Sequence, residues 1–361
     1  MLRSKYTGGA FTLNIGIRSV TTMKIGILGA GTWGIALAKM LCESKHSVTV
    51  WSALPDEITN LKNTHIHPKF PDITLPDALC FSSDIKAVCS DNEMLIVAVP
   101  SVFVRSTTKT ASPYLKQGQI LVSVATGIEA DTFFTMTEVI ADELGSTAEE
   151  KGLKIAALSG PTHAEEVIRS MPTTILSSCP DLQTAETIQD VFMNTCMRVY
   201  TNTDIKGVEL CGALKNIIAL ASGMLIGLGL GDNIKAALIT RGLAEIKRLG
   251  MKLGCREQTF YGLAGMGDLI VTALSVHSRN YQAGILLGKG YDADSAIKEV
   301  GMVVEGINAL KPAMKLAEKY NTELPIISAV YSIVYEGASP SETLTGLMQR
   351  EKRSELCDFY G

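Results

Sequence analysis

A glycine-rich turn wedged between two apolar segments constrains this chain more than any other feature. Lys24 to Leu28 (KIGIL) reads as a fully buried strand, Gly29-Ala30-Gly31-Thr32-Trp33-Gly34 follows at once, and Ile35 to Cys42 has helical periodicity. In a G-x-G-x-x-G so placed, the first glycine permits a tight turn and the second lets backbone approach a pyrophosphate. The third lets helix and strand pack closely, and the helix N-terminus faces the anion. A second strand-like run, Ser47 to Trp51 (SVTVW), completes the unit, so a dinucleotide site is expected at Gly29, Gly31 and Gly34. The residues after that run, Trp51, Ser52, Ala53 and Leu54, are neither acidic nor basic, which leaves both NAD and NADP open.

Further apolar runs alternate with helical patterns. Met94 to Val99, Ile120 to Val124 and Leu153 to Leu158 read as buried strands, and Thr173 to Leu176 and Met197 to Tyr200 would extend the sheet. This alternation predicts an α/β fold, a Rossmann-type doubly wound and mostly parallel sheet with right-handed crossovers. From Gly207 onward the periodicity is helical throughout, in segments beginning with Val208 to Leu228 and ending with Pro340 to Arg350. The last opens on Ser339, Pro340 and Glu342, a capping box with proline at the first helical position. A chain of 361 residues exceeds what one core usually supports. The expected division is a dinucleotide-binding domain at 23–205 and an all-α substrate and catalytic domain at 206–361.

Charge and composition narrow the function. With 33 Lys+Arg against 37 Asp+Glu the net charge is -4, which argues against a nucleic-acid footprint. Hydrophobic residues at 46% and charged residues at 19% imply a folded, soluble protein. The eight cysteines, Cys42, Cys80, Cys89, Cys179, Cys196, Cys211, Cys255 and Cys357, are scattered. They read as buried small hydrophobes of a reducing compartment, with neither a metal site nor a disulfide framework. The longest apolar run, Ile217 to Leu230, is bracketed by Lys215 and Asp232 and reads as a core helix rather than a membrane span. Residues 1–22 carry Arg3, Lys5 and Arg18 and no acid, the composition of a transit peptide, of a disordered extension, or of sequence upstream of a start at Met23. No secretory signal is visible, so the cytoplasm is the expected location, an organelle the alternative.

Three segments concentrate polar residues that a plain core does not require. Ser159 to Glu166 (SGPTHAEE) lies where a buried strand gives way to a helix, the place where doubly wound sheets bind ligands; Thr162 reads as a helix cap and His163 as an acid, a base or a surface residue. Lys215 interrupts an apolar helix whose core stripe is Cys211, Leu214, Ile218, Ala221 and Leu225. Its own face carries Gly212, Ala219 and Ser222, which would leave room for a ligand. Burial disfavours the charged form of a lysine and so suits it to proton transfer; the alternative is a lysine reaching to solvent. Asp268, after Gly265-Met266-Gly267, is a partner for that lysine or an ordinary helix N-cap. Ser278, Arg279 and Asn280 at a helix start suit a phosphate, or form a polar loop.

These segments resemble the glycerol-3-phosphate dehydrogenase family, in particular its bacterial NAD(P)-dependent branch. The resemblance covers about residues 23 to 350, on ordered motifs: GAGTWG at 29–34, SGPTHAEE at 159–166, GALKNIIA at 212–219, ITRGLAE at 239–245, GLAGMGDL at 262–269, HSRN at 277–280 and VVEG at 303–306. It implies reversible hydride transfer between NAD(P)H and dihydroxyacetone phosphate, giving sn-glycerol 3-phosphate for phospholipid synthesis. It implies Lys215 as proton donor and acceptor and Asp268 as the acid of its polar network. Gly160, Thr162, Ser278, Arg279 and Asn280 are implied as substrate contacts, and Thr32, Trp33, Ala164, Arg279, Val303 and Glu305 as cofactor contacts. The long helical region commonly buries apolar surface in a homodimer.

Two positions depart from the family pattern. Where relatives usually have lysine before Gly-Ile-Glu, this chain reads Thr126-Gly127-Ile128-Glu129. Loss of one charge-assisted contact costs roughly 1.5 to 3 kcal/mol, about ten-fold to more than a hundred-fold in transition-state binding. Ala53 stands where many relatives carry His or Arg favouring NADPH. The departures keep two alternatives in view: a related dehydrogenase of another small hydroxy or keto substrate, and a protein that binds NAD(P)H with little turnover.

Overall fold

Eight strands form one sheet in the order β3-β2-β1-β4-β5-β6-β7-β8: β1 Lys24–Leu28, β2 Ser47–Trp51, β3 Cys80–Ser82, β4 Met94–Val97, β5 Ile120–Ser123, β6 Lys154–Ser159, β7 Thr173–Ser178 and β8 Met197–Asn202. This is a computed structural model, and it describes residues 22–352, 354 and 355; residues 1–21 of the expected extension lie outside the described residues. Eight helices are interleaved with the strands: α1 Thr32–Glu43, α2 Pro55–Thr64, α3 Ile85–Asp91, α4 Val104–Ala111, α5 Met136–Leu144, α6 Ser146–Glu150, α7 Ala164–Val167 and α8 Leu182–Met193.

The strands read as unbroken apolar runs because helices cover both faces of the sheet. Ile25, Ile27, Met94 and Ile96 enter one core cluster, while Leu28, Leu95 and Val97 enter the cluster on the opposite face. β1 pairs in parallel with β2 on one side (Leu28 opposite Trp51) and with β4 on the other (Leu28 opposite Val97). Strand order therefore reverses at β1, and the crevice that results opens at the C-terminal ends of these strands.

Two strand features differ from expectation. β3 was not anticipated; at three residues it has no period to detect and is defined by pairing with β2, Thr49 opposite Cys80. β7 runs antiparallel to β6, Leu158 opposite Ser177, because the connection carries only the four-residue α7 at the sheet's end and the chain turns back instead of crossing over.

Beyond Asn202 the described chain is helical: α9 Ile205–Gly227, α10 Asp232–Lys252, α11 Glu257–Tyr261, α12 Asp268–Leu274, α13 Arg279–Gly288, α14 Ala293–Val300, α15 Glu305–Lys319, α16 Pro325–Tyr335 and α17 Pro340–Met348. α9 is long and apolar enough to cross a membrane, yet 83% of that apolar window is buried inside the fold, as suits the axis of a core. It meets α13 backbone to backbone. A Cβ on Gly223 would fall 2.1 Å from the Tyr281 carbonyl oxygen, and one on Gly284 2.0 Å from that of Leu220; Gly227 and Gly288 repeat the contact one turn on. α17 starts at Pro340 as expected, with the Ser339 hydroxyl accepting from the Glu342 amide.

The cysteines are less uniform than expected. Cys80 is exposed and Cys196 half-buried, because the one lies on the short edge strand and the other in the turn before β8, whereas Cys42, Cys89, Cys179, Cys211 and Cys255 are buried. Cys357 lies outside the described residues.

Candidate active site

The glycine turn is built as its spacing requires. Gly29 has φ +128°, and a Cβ there would lie 2.7 Å from the Ala98 carbonyl; on Gly34 it would lie 2.1 Å from the Gly29 oxygen. Both glycines are demanded by the protein's own packing. Gly31 is not: its Cβ would meet nothing within 4 Å, so this stretch of backbone stays clear for something outside the chain. α1 begins directly there with no side-chain cap and no acidic residue in its first turn, leaving amide donors for an anion. Thr32 and Trp33 are half-buried at that helix start, Trp33 against the sheet core. These residues fit a dinucleotide pyrophosphate.

Lys215 and Asp268 form an ion pair between α9 and α12, the lysine side chain 12% exposed and the aspartate 1%. Asp268 reaches this place because Leu263–Gly267 forms a single π-helical turn before α12, in which a Cβ on Gly265 would collide with the Phe260 backbone at 2.0 Å. The Thr272 hydroxyl donates to Oδ1 of Asp268 at 3.3 Å, while Oδ2 is buried with no partner among the described residues. Burial pushes the Asp268 carboxyl up, against the pull of the Lys215 ammonium and of Thr272.

The small residues near Lys215 do not leave the room expected of them. Ser222 donates to the Ala273 carbonyl at 2.7 Å, and Ala219 is fully buried. A Cβ on Gly212 would sit 3.2 Å from Thr126 Cγ2 and 3.3 Å from Ser159 Oγ. They admit α12 and the ends of the sheet instead, and so bring Thr126 and the unpartnered Ser159 hydroxyl to within one turn of the lysine. Gly160 has φ +153° with its Cβ direction against Ile175, and Thr162 donates to the Gly160 carbonyl at 3.2 Å. Thr162 is thus not the cap of α7, a position His163 holds through its backbone. His163 Nε2 stands 3.4 Å from the Val271 carbonyl, its ring 6.0 Å from that of His277, and burial pushes the imidazole down toward its neutral form.

Ser278, Arg279 and Asn280 are gathered at the start of α13, though not as equals. The Ser278 hydroxyl caps the helix by accepting from the Tyr281 amide at 3.3 Å. The Asn280 amide donates to Asn216 Oδ1 at 2.9 Å, and its carbonyl accepts from the Gly306 amide at 2.8 Å. Arg279 alone of the three is half-buried, with no hydrogen bond or ion pair among the described residues.

A chain of contacts connects the glycine turn to the lysine. Glu305 at the start of α15 accepts from the Ser101 amide at 3.2 Å and its hydroxyl at 2.6 Å, tying the helical region to the loop after β4. Val303, half-buried, precedes it, and Ala164 packs on the sheet core at the start of α7. Gly306, Asn280 and Asn216 carry the connection on to Lys215. Ser101 and Asn216 escaped the sequence reading; a polar Asn216 on the buried side of an apolar helix was the available signal. Glu57 escaped it too. This first-turn residue of α2 turns back to accept from the Ser52 hydroxyl at 2.5 Å.

A mostly parallel sheet with a glycine turn that fits a pyrophosphate, joined to a helical region that delivers a buried lysine–carboxylate pair, defines a nicotinamide-dependent oxidoreductase of the two-region type. The chain matches the models of the NAD-dependent glycerol-3-phosphate dehydrogenase N-terminus over residues 24–185 and C-terminus over residues 204–345. It is 59% identical to glycerol-3-phosphate dehydrogenase (NAD(P)+) 2 of Lactobacillus delbrueckii subsp. bulgaricus across 92% of this chain and 99% of that one. The crystal structure of glycerol-3-phosphate dehydrogenase from Coxiella burnetii superimposes with TM-score 0.86 at 33% identity, covering 91% of this chain and 99% of the other. For the Saccharomyces cerevisiae glycerol-3-phosphate dehydrogenase the values are 0.77 and 26%, covering 91% and 100%. The chain belongs to the NAD-dependent glycerol-3-phosphate dehydrogenase family.

Proposed function

We propose that this chain catalyses the reversible NAD(P)H-dependent reduction of dihydroxyacetone phosphate to sn-glycerol 3-phosphate, supplying glycerophospholipid synthesis, in the cytoplasm and as a homodimer. The observation that carries the reading is the Lys215–Asp268 pair, set beside a pyrophosphate cradle and an uncommitted Arg279. In this reading the sheet region, 23–205, holds the cofactor through Gly29, Gly31, Thr32, Trp33, Gly34 and Ala164. The helical region, 206–361, supplies the remaining cofactor contacts, Arg279, Val303 and Glu305, together with the catalytic groups.

NAD(P)H, when bound, supplies a hydride to the substrate's carbonyl carbon. Lys215 Nζ gives its proton to the carbonyl oxygen as negative charge develops there, and in the reverse direction takes it back. Asp268 holds the ammonium in place. Arg279, positioned by the Ser278 cap and the Asn280 clamp, anchors the phosphate; Gly160 and Thr162 line the other side of the substrate. The test is an assay of nicotinamide absorbance with dihydroxyacetone phosphate and NADH or NADPH. Turnover with either cofactor, lost in Lys215→Ala while cofactor binding persists, is expected. An inert wild type that still binds cofactor would sink the reading.

Thr126 favours one second reading. Its uncharged side chain lies against Gly212 where the family resemblance implies a lysine, which suits a substrate with less negative charge, another small hydroxy or keto compound, at Lys215.

A further inference from the structure

We infer that Glu57 selects the cofactor, presenting a carboxylate to the adenosine ribose so that a free 2'-hydroxyl is accepted and a 2'-phosphate repelled. The inference rests on the dinucleotide reading of the glycine turn. The Gly29 amide donates to the Trp51 carbonyl at 2.9 Å, so the end of β2 lies directly beside the turn, where this fold places the ribose. The residues immediately after β2 bear no charge, but the structure brings one there from α2. Ser52 is buried; its hydroxyl accepts from the Leu54 amide at 3.2 Å and donates to Glu57 Oε2 at 2.5 Å, which fixes the carboxylate at the strand end.

Glu57 also lies near the glycine turn: the buried His67 ring is acted on both by the backbone of Ala30, inside the turn, and by the Glu57 carboxylate. Burial pushes the His67 imidazole down, against the pull of the Glu57 carboxylate. Lys69 is the positive group that acts on His67, and it is exposed to solvent, where its charge is screened. A held carboxylate accepts a hydrogen bond from a 2'-hydroxyl and repels a 2'-phosphate. The same residue also lies in the first turn of α2, where an acid stabilises a helix with no ligand involved, so the test must separate the two roles.

ADP-ribose and 2'-phospho-ADP-ribose, titrated calorimetrically into the full chain, read the ribose subsite without turnover. Wild type should bind ADP-ribose roughly ten-fold or more tightly than its 2'-phosphorylated form, and Glu57→Gln should narrow that ratio by roughly ten-fold, chiefly through tighter binding of the 2'-phosphorylated probe. Ser52→Ala, which releases the carboxylate, should move the ratio the same way by less, and serves if Glu57→Gln fails to fold. Equal or tighter binding of the 2'-phosphorylated probe by wild type overturns the inference, as does an unchanged ratio in Glu57→Gln. A ratio that moves in Lys69→Ala but not in Glu57→Gln also overturns it, and names Lys69 as the reader. Binding of neither probe would remove the dinucleotide reading itself, a different failure from binding both alike.

Discussion

One buried carboxylate lies on α9 and another packs against it, and their surroundings differ. Glu209, near the start of the helix, accepts from the Thr135 hydroxyl at 2.7 Å, the Thr137 amide at 2.9 Å and the Thr137 hydroxyl, all at the start of α5. Asp268 meets Lys215 and Thr272 with one oxygen and nothing among the described residues with the other. Burial pushes both carboxyls up, Glu209 to about 7. A satisfied buried acid behaves as a fastener between the sheet and the helices. An acid left with an unpartnered oxygen beside an ammonium carries an energetic cost that the fold alone does not repay, and such sites are where chemistry is found.

If that distinction is right, substitutions at the two sites should fail in different ways. Lys215→Ala is expected to lower kcat by about 10²–10⁴-fold with the Kd for NADH essentially unchanged, measured by steady-state rates and fluorescence titration. Equal loss of both would make the lysine a structural element. Asp268→Asn should cost about 10²-fold in kcat with the fold retained by circular dichroism; full activity would remove the aspartate from the site. Glu209→Ala should behave oppositely, losing about 2–4 kcal/mol of stability in denaturant melts while the folded fraction keeps kcat within about two-fold. A collapse of kcat there would erase the contrast.

Titration sharpens the comparison further. Because the Glu209 carboxyl is raised from 4.5 to about 7 in the fold, the folded chain holds that proton where the unfolded chain has released it. The stability from this group is fully present below about 4.5 and is lost as pH rises toward about 7. Glu245, raised likewise to about 7 although the Ile326 and Ile327 amides donate to it, adds the same slope. Glu209→Gln should flatten the dependence of the unfolding free energy on pH across that interval by an amount on the order of 3 kcal/mol, and an unchanged slope would assign it elsewhere. The smallest effect is expected at Thr126→Lys, which should raise kcat/KM for dihydroxyacetone phosphate about ten-fold; a fall would mean that the space beside Gly212 is already committed to another arrangement.

What could be read in advance follows the range of the interactions. The strands β1, β2 and β4 are legible because two-sided burial makes them unbroken apolar runs, and the fingerprint is legible because its glycines answer contacts a few residues away. Lys215 stands out as a charge in an apolar helix. The Ser101–Glu305 bond joins residues 204 positions apart, and the Asn280–Asn216 bond residues 64 apart, separations that no local pattern encodes. Glu57 illustrates the same limit at short range. It lies in the helix after β2 rather than at the strand end, and only the fold of the backbone brings it back to Ser52. Gly212, Ala219 and Ser222 were read as space for a ligand because a sequence shows that a side chain is small, not what fills the gap.

The glycine pairs that join α9 to α13 bear on how this enzyme can change over generations. Gly223 and Gly227 against Gly284 and Gly288 fix the spacing of the two helices by main-chain contact, so along this stretch the separation of α9 and α13 is set by backbone and not by side-chain size. Mutational drift elsewhere in the apolar core can then proceed without altering how closely these two helices approach. The same arrangement leaves four positions at which the gain of a single methyl group would be selected against.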